Sequence, residues 1–137
     1  MAFAALPNTL TPTGGLINTE TRLCSEAIAA GLVVRQLANG TVEIANAVAA
    51  NTADMAGVAV NATNAANQPI TYARPGSVLT VSGLSAGESY YLGEGATEGQ
   101  VGLFADAATA NAFATIVGLA LSTTSLYVIG RETGVSV

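Results

Sequence analysis

The sequence contains an internal repeat, in which four short phrases recur in the same order in two parts of the chain. The two members of each pair lie roughly 56 to 61 residues apart, so the spacing drifts by only a few residues. A chain rich in glycine and alanine gives single matches by chance, but four matches in one order favour a tandem duplication. The matched positions are Gly31 and Gly87, Gly40 and Gly99, Gly57 and Gly118, and Arg74 and Arg131.

Each copy of the repeat has the pattern of several short β-strands. Gly, Thr, Asn and Ser interrupt the sequence about every eight to twelve residues, a spacing typical of sandwiches and barrels. We therefore predict a mostly all-β fold, a small β-barrel or sandwich. It is built from two tandem half-units, about residues 26–82 and 83–137, related by a pseudo-two-fold axis. The predicted strands are Leu32–Leu37, Thr41–Ala45, Ala56–Ala62, Pro69–Arg74, Ser77–Ser82, Ser89–Leu92, Gln100–Phe104, Ile116–Leu121 and Leu126–Gly130.

The connections between these strands carry weaker signals. Asn39-Gly40 accepts positive φ and predicts a hairpin turn, although a plain surface loop fits the same residues. Two Ala-rich stretches, Asn46–Met55 and Ala105–Phe113, contain Asn, Thr and Asp, which weaken a long helix. Each stretch is therefore predicted to be a loop with at most one or two helical turns.

The charge of the chain limits its partners. Only 9% of its 137 residues are charged, the net charge is −5, and there is no His. A nucleic-acid backbone requires concentrated positive charge, so direct nucleic-acid binding is not expected. No apolar stretch approaches the roughly 20 residues of a membrane-spanning helix, so no membrane association is expected either. With so few charges, the surface depends on Thr, Asn and Ser for solvation, or on coverage by partner proteins.

No arrangement of residues predicts catalysis, a cofactor or a metal site. The lack of His removes the commonest general base and the commonest transition-metal ligand. Cys24 has no imidazole to activate it and is predicted to be a small buried residue. Glu94 and Glu98 could form a glycosidase pair or a weak cation site. The neighbouring glycines and the scarcity of aromatic residues favour a solvated turn instead.

Three phrases carry a resemblance to a known family: Ala30–Val34, Asp54–Val60 and Thr115–Leu121. They resemble the small head-decoration, or capsid cement, proteins of tailed bacteriophages, over about residues 26 to 137. The resemblance implies a virion structural protein that is made in the host cytoplasm. It further implies a homotrimer on the outer capsid surface that clamps neighbouring major capsid protein subunits and uses no cofactor. The tandem duplication departs from the single-barrel form of that family.

Two other classes of function are alternatives: a glycan-binding or adhesive module of a phage head or tail fibre, and a bacterial surface module. A glycan binder is expected to present exposed aromatic platforms, whereas the four tyrosines lie within strand patterns. A secreted module is expected to begin with a signal peptide. Here the apolar start has no Lys or Arg before it, and Pro7 interrupts it.

Residues 1–25 lie outside the repeat and are predicted to form an extended N-terminal arm, because Pro7, Pro12 and Gly14-Gly15 oppose a helix. Such an arm can lie on a neighbouring subunit or add a strand to its sheet edge. A frayed terminus is the alternative. The residues predicted to contact the capsid or another subunit are Phe3, Leu6, Leu10, Arg22, Arg74 and Arg131.

The three arginines of this set have a second interpretation. Arg74 and Arg131 each end a predicted strand, where an arginine commonly pairs with a nearby Glu of the same chain. The alternative is a contact across subunits, since Arg is enriched at interfaces. For Arg22, a capsid carboxylate and a carboxylate of the same chain are equally suitable partners.

Overall fold

The computed structural model describes residues 11–12, 18–46, 55–93, 99–103 and 113–136. These residues form β-strands, turns and loops, with no helix among them. The strands are β1 (Thr11–Pro12), β2 (Thr19–Leu23), β3 (Val33–Gln36), β4 (Val42–Ile44), β5 (Gly57–Ala59), β6 (Pro69–Ala73), β7 (Val78–Thr80), β8 (Ser89–Leu92), β9 (Val101–Leu103), β10 (Phe113–Ala120) and β11 (Ser125–Ser136).

The strands form two antiparallel sheets. The six-stranded sheet has the order β1-β7-β11-β10-β8-β9, and the five-stranded sheet has the order β2-β6-β5-β3-β4. Neither sheet closes into a barrel, although one isolated bridge between Cys24 and Val42 brings the two edges of the five-stranded sheet close together. The fold is therefore a β-sandwich of two half-units, which confirms the all-β prediction in its sandwich form.

All nine predicted strands are present as β3 to β11, with shifted ends. The largest shift is in β11, which continues past Gly130 to Ser136. Gly130 has a φ of 64° and lies where β11 has one extra residue relative to β10, so it forms a bulge within the strand and does not end it. The two Ala-rich stretches fall mainly at 47–54 and 104–112, outside the described residues.

The described part of the predicted N-terminal arm is extended and pairs with both sheets. β1 pairs with β7, and β2 pairs with β6 along its whole length, from Thr19 opposite Ala73 to Leu23 opposite Pro69. Neither strand was predicted from the sequence pattern. Residues 18–24 are thus the edge of the five-stranded sheet.

The strand order confirms the duplication. The five-stranded sheet has the order β2-β6-β5-β3-β4, and the larger sheet, apart from β1, has the order β7-β11-β10-β8-β9. Each strand of the first sheet thus corresponds to the strand five places later in the chain. Gly57 in β5 and Gly118 in β10 therefore occupy equivalent strands. The structural copies begin with β2 and β7, whereas the copies predicted from the sequence began near residues 26 and 83.

Backbone hydrogen bonds repeat at the matched positions. The N–H of Gly31 donates to the carbonyl of Ala59 at 2.9 Å, and that of Gly87 donates to Ala120 at 2.8 Å. Two of the matched glycine pairs also share a left-handed conformation, with φ values of 89° and 84° for Gly31 and Gly87 and of 88° and 71° for Gly40 and Gly99. Glycine adopts this conformation without the steric cost of a Cβ atom, which explains why it recurs at these turns.

Two apolar clusters form the core. The larger cluster lies between the sheets, because it joins Val33 and Val58 of the five-stranded sheet to Leu79, Tyr90 and Leu126 of the other. The smaller cluster lies on the opposite face of the five-stranded sheet. Its buried members are Cys24, Ile28, Val34, Val42, Ala59, Ile70 and Tyr72. The five-stranded sheet is thus buried on both faces, which explains consecutive apolar pairs such as Val33-Val34.

Candidate functional site

The structure describes three of the six residues predicted to make contacts. Phe3, Leu6 and Leu10 lie outside the described residues. Arg22 lies in β2, Arg74 directly follows β6, and Arg131 lies in β11. The structure brings the first two together.

Arg22 and Arg74 converge on one carboxylate, that of Glu20. Arg22 forms an ion pair through its Nε with Oε1 of Glu20, and Nη1 of Arg74 lies 3.4 Å from Oε2. The hydroxyl of Tyr72 donates to Oε1 at 3.0 Å. The arrangement follows from the sheet register, which places Glu20 directly opposite Tyr72. The expectation that Arg74 pairs with a nearby Glu is confirmed, and the partner of Arg22 also belongs to the same chain.

The contacts within this cluster favour the charged forms of Glu20 and Arg22. The hydrogen bond from Arg22, followed by that from Tyr72, lowers the pKa of Glu20 below its usual range. The hydrogen bond to Glu20 raises the pKa of Arg22. Burial, together with the hydrogen bond to Glu20, raises the pKa of Tyr72. An ionised carboxylate held by two guanidinium groups is a poor general acid or base near neutral pH, so the cluster is suited to fixing the sheet edge.

The lowered pKa of Glu20 gives a pH-dependent prediction. Glu20→Gln is expected to lower the free energy of unfolding at pH 7 by about 1 kcal/mol or less, because the group is partly exposed. A lowered folded-state pKa stabilises the protein above the unfolded-state pKa of roughly 4.3, and this contribution disappears as the pH falls through the folded-state value. Urea unfolding of both proteins from pH 7 to pH 3 measures the effect. A stability difference that persists undiminished at pH 3 would contradict the assignment.

Arg131 lies apart from this cluster in the strand pairing. It is within β11, opposite Ile116 of β10, whereas Arg74 lies beyond the end of β6. The interpretation of both arginines as strand-ending residues at matching positions is therefore wrong for Arg131. The reason is the bulge at Gly130, which lets β11 continue where the sequence pattern predicted a turn.

The side of the six-stranded sheet that faces away from the core carries an apolar surface, which we call the outer face. Leu121 is 55% exposed and Tyr127 is 37% exposed, while Leu119 is half-buried opposite Tyr127. Ala120 and Leu126 alternate with these residues and point into the core. Leu121 directly follows β10, next to β11, and exposed large apolar side chains placed together in this way are suited to contact with another protein surface.

The sequence pattern predicted these residues to lie in strands but did not predict the outer face. The sequence feature that points to the outer face is the alternation of Leu119, Ala120 and Leu121, in which the small residue lies on the buried side. Alternation alone does not tell which face meets the core, because the small residue also fits an outward position. The burial of Ala120, together with that of Leu126 opposite it in β11, settles the orientation.

Cys24 is fully buried, as predicted, and its Sγ lies 3.1 Å from the carbonyl oxygen of Ala65.

Within the described ranges there is no group of three or more His, Cys, Asp or Glu residues that could hold a metal ion. Glu94 and Glu98, the candidate carboxylate pair, lie outside those ranges. In the part of the chain that the structure describes, no helix is long and apolar enough to cross a membrane.

Comparison with protein-family models gave no match, and a search of curated proteins found none either.

Proposed function

We propose that the protein is a virion structural protein that decorates a phage capsid and stabilises it by bridging major capsid protein subunits. The outer face carries this proposal, because Tyr127 in β11 and Leu121 at the end of β10 present apolar surface. The resemblance of the repeat phrases to capsid decoration proteins supplies the kind of partner. The proposal assigns no catalytic residue and no cofactor, and places the protein on the outer capsid surface after synthesis in the host cytoplasm.

The chemistry of the chain supports a binding mechanism. Only 9% of the residues are charged, so a partner surface can cover the outer face without desolvating many ions. Each shell presents many identical sites, and contacts that are weak individually then sum to a large stabilisation of the shell.

The positions of the tyrosines favour capsid binding over the glycan-binding alternative. Tyr72 and Tyr90 are 1% and 0% exposed, so they cannot stack against a sugar. Tyr91 is half-buried, which leaves Tyr127 as the one tyrosine classed as exposed among the described residues. A lone aromatic residue flanked by leucines is better suited to an apolar protein contact than to a sugar cleft.

Deleting the gene from the parent phage genome tests the proposal. We expect purified parent particles to contain the protein in a fixed ratio to the capsid protein. Particles without it should release DNA at a lower temperature in a dye-accessibility assay. Adding the purified protein back should restore the release temperature. Absence of the protein from purified parent particles would overturn the proposal.

The outer face is tested with a variant that carries both Leu121→Ser and Tyr127→Ser. We expect it to fold but to lose most of its binding to the deletion particles in a co-sedimentation assay, because it loses the apolar contact area. The control is Thr123→Ala in the same hairpin, which changes an exposed polar residue and should bind normally. Full binding by the double variant would move the capsid contact away from the outer face.

A further inference from the structure

The apolar row of the outer face continues across the sheet toward β1. Leu119 of β10 lies opposite Tyr127 of β11, and Tyr127 lies opposite Val78 of β7, which is itself largely buried. Residues directly opposite each other on paired strands share one face of the sheet. Apolar surface therefore extends from β10 to β7, the strand that pairs with β1.

The equivalent residues of the first half-unit are covered. Val58 is the counterpart of Leu119, because each directly follows the close-packed glycine of its own half-unit. Ala73 lies opposite Val58 and is likewise the counterpart of Tyr127. Val58 and Ala73 are both 0% exposed, in one cluster with residues of the second half-unit. The same face is thus covered in the first half-unit and partly exposed in the second.

Residues 1–10, which we call the N-terminal segment, lie outside the described residues and join this sheet at β1. Thr11 lies opposite Thr80, Thr80 lies opposite Ser125, and the N–H of Leu121 donates to the carbonyl of Ser125. Thr11 is therefore in line with Leu121, about 14 Å away at the usual spacing of strands.

The direction of β1 and the length of the N-terminal segment bring the outer face within reach. Because β1 is antiparallel to β7, the chain enters β1 from the end of the sheet at which Leu121 lies. Ten extended residues span up to about 33 Å, which exceeds the width of the four strands from β1 to β10. The segment can therefore cross the outer face of its own chain.

The N-terminal segment and the outer face match in chemistry. No side chain of the segment is charged, and Phe3, Leu6 and Leu10 are large and apolar. Contact between two uncharged surfaces buries apolar area without desolvating an ion. Because the segment is tethered to the same sheet, its effective concentration at the outer face is on the order of millimolar, above that of a second copy at micromolar concentration.

We propose that the N-terminal segment folds back onto the outer face of its own chain, where Phe3 and Leu6 cover Leu121 and Tyr127. The contact is a property of the free protein and does not depend on the proposed function. A capsid that binds the outer face has to displace the segment, which also releases the apolar side chains of the segment for the capsid. That displacement step rests on the proposed function.

Nitration of the purified full chain with tetranitromethane measures the cover over Tyr127. In the variant Phe3→Ser/Leu6→Ser, we expect Tyr127 to react at least about fivefold faster than in the wild type, because the segment loses its apolar contacts. Tandem mass spectrometry locates the nitrotyrosine, and far-UV circular dichroism checks the fold. The matched control Ala4→Ser/Ala5→Ser adds the same two hydroxyls and should react like the wild type. Equal rates in the wild type and in Phe3→Ser/Leu6→Ser would overturn the proposal.

Disulfide trapping shows whether the contact lies within one chain. In the variant Leu6→Cys/Leu121→Cys, mild oxidation should form an intramolecular disulfide, because contacting residues meet the distance that this bond requires. Tryptic cleavage after arginine separates the two cysteines, so mass spectrometry detects the linked peptides. Cys24 is fully buried and should not react. The matched control Leu6→Cys/Asn64→Cys places the second thiol in an exposed loop before β6 and should stay reduced. Disulfides between chains, or equal yields in both variants, would contradict the proposal.

The trapped variant also tests the displacement step. Oxidised Leu6→Cys/Leu121→Cys holds the segment on the outer face and should bind the deletion particles at least about tenfold more weakly than the same protein after reduction. Equal binding before and after reduction would rule out displacement. If the wild-type protein does not bind the particles at all, the proposed function fails, whereas the nitration and trapping results still decide the contact in the free protein.

Discussion

Replacing Tyr90 by alanine is expected to lower the free energy of unfolding by roughly 3–5 kcal/mol, the range for removal of a large buried aromatic side chain. Tyr90 is fully buried in the cluster between the sheets, and β8 pairs it with Leu103 on one side and Gly118 on the other. Because a domain of this size is stabilised by roughly 5–15 kcal/mol in total, this variant should be close to unfolding. Equilibrium unfolding in urea measures the loss.

Two other variants separate the contribution of the Tyr90 ring from that of its hydroxyl and from that of its position in the fold. The hydroxyl of Tyr90 accepts a hydrogen bond from the N–H of Ser85 at 2.8 Å, so Tyr90→Phe should cost about 0.5–1.5 kcal/mol. Val34 occupies the equivalent place opposite Gly57, and Val34→Ala should cost about 2 kcal/mol because it removes less apolar volume. A loss below about 1 kcal/mol for Tyr90→Ala would contradict its place in the core.

The strands that the sequence predicted are those with a local signal. β3 begins with Val33-Val34 and β8 contains Tyr90-Tyr91-Leu92, each shortly after a glycine turn, and this pattern locates both strands without knowledge of the rest of the fold. β2 has the sequence Thr19–Leu23, with a single apolar residue, and gives no such signal. It forms a strand because β6 pairs with it along its length, which is a long-range effect that periodicity does not report.

The duplication was visible because glycine is required at fixed places by backbone geometry. Gly31, Gly40 and their partners keep their spacing since only glycine adopts these turns easily. Side chains such as Arg74 and Arg131 carry no equivalent geometric requirement, so their match in the sequence did not place them alike. The bulge at Gly130 moved Arg131 into the strand interior.

The candidate site depends on strand register, which the sequence pattern does not determine. Glu20 meets Arg74 because β2 and β6 pair in one register, across more than fifty residues of chain. A shift of one residue would place Glu20 on the other face of the sheet. The same reasoning applies to Leu121 and Tyr127, whose exposure follows from the pairing of β10 with β11.

Gly57 and Gly118 give a paired prediction that follows from the duplication. A Cβ atom at Gly57 would clash with the carbonyl oxygen of Ala73, and one at Gly118 would lie 2.6 Å from the carbonyl oxygen of Tyr127. In both copies the obstacle is the backbone of the neighbouring strand, β6 or β11, which cannot rotate away as a side chain can. Alanine at either position is therefore expected to cost about 1–3 kcal/mol or more through overpacking.

The matched control for these two variants is Gly83→Ala, where a Cβ atom meets no neighbour within 4 Å but the φ is +81°. Its cost of about 1–2 kcal/mol arises from backbone conformation alone. Urea unfolding of the three single variants separates strand contact from turn conformation. In the double variant Gly57→Ala/Gly118→Ala, the losses in free energy of unfolding should add if each glycine allows close approach of its own neighbouring strand only. Wild-type stability in either single variant would show that the strands do not approach as closely as the sheet pairing requires.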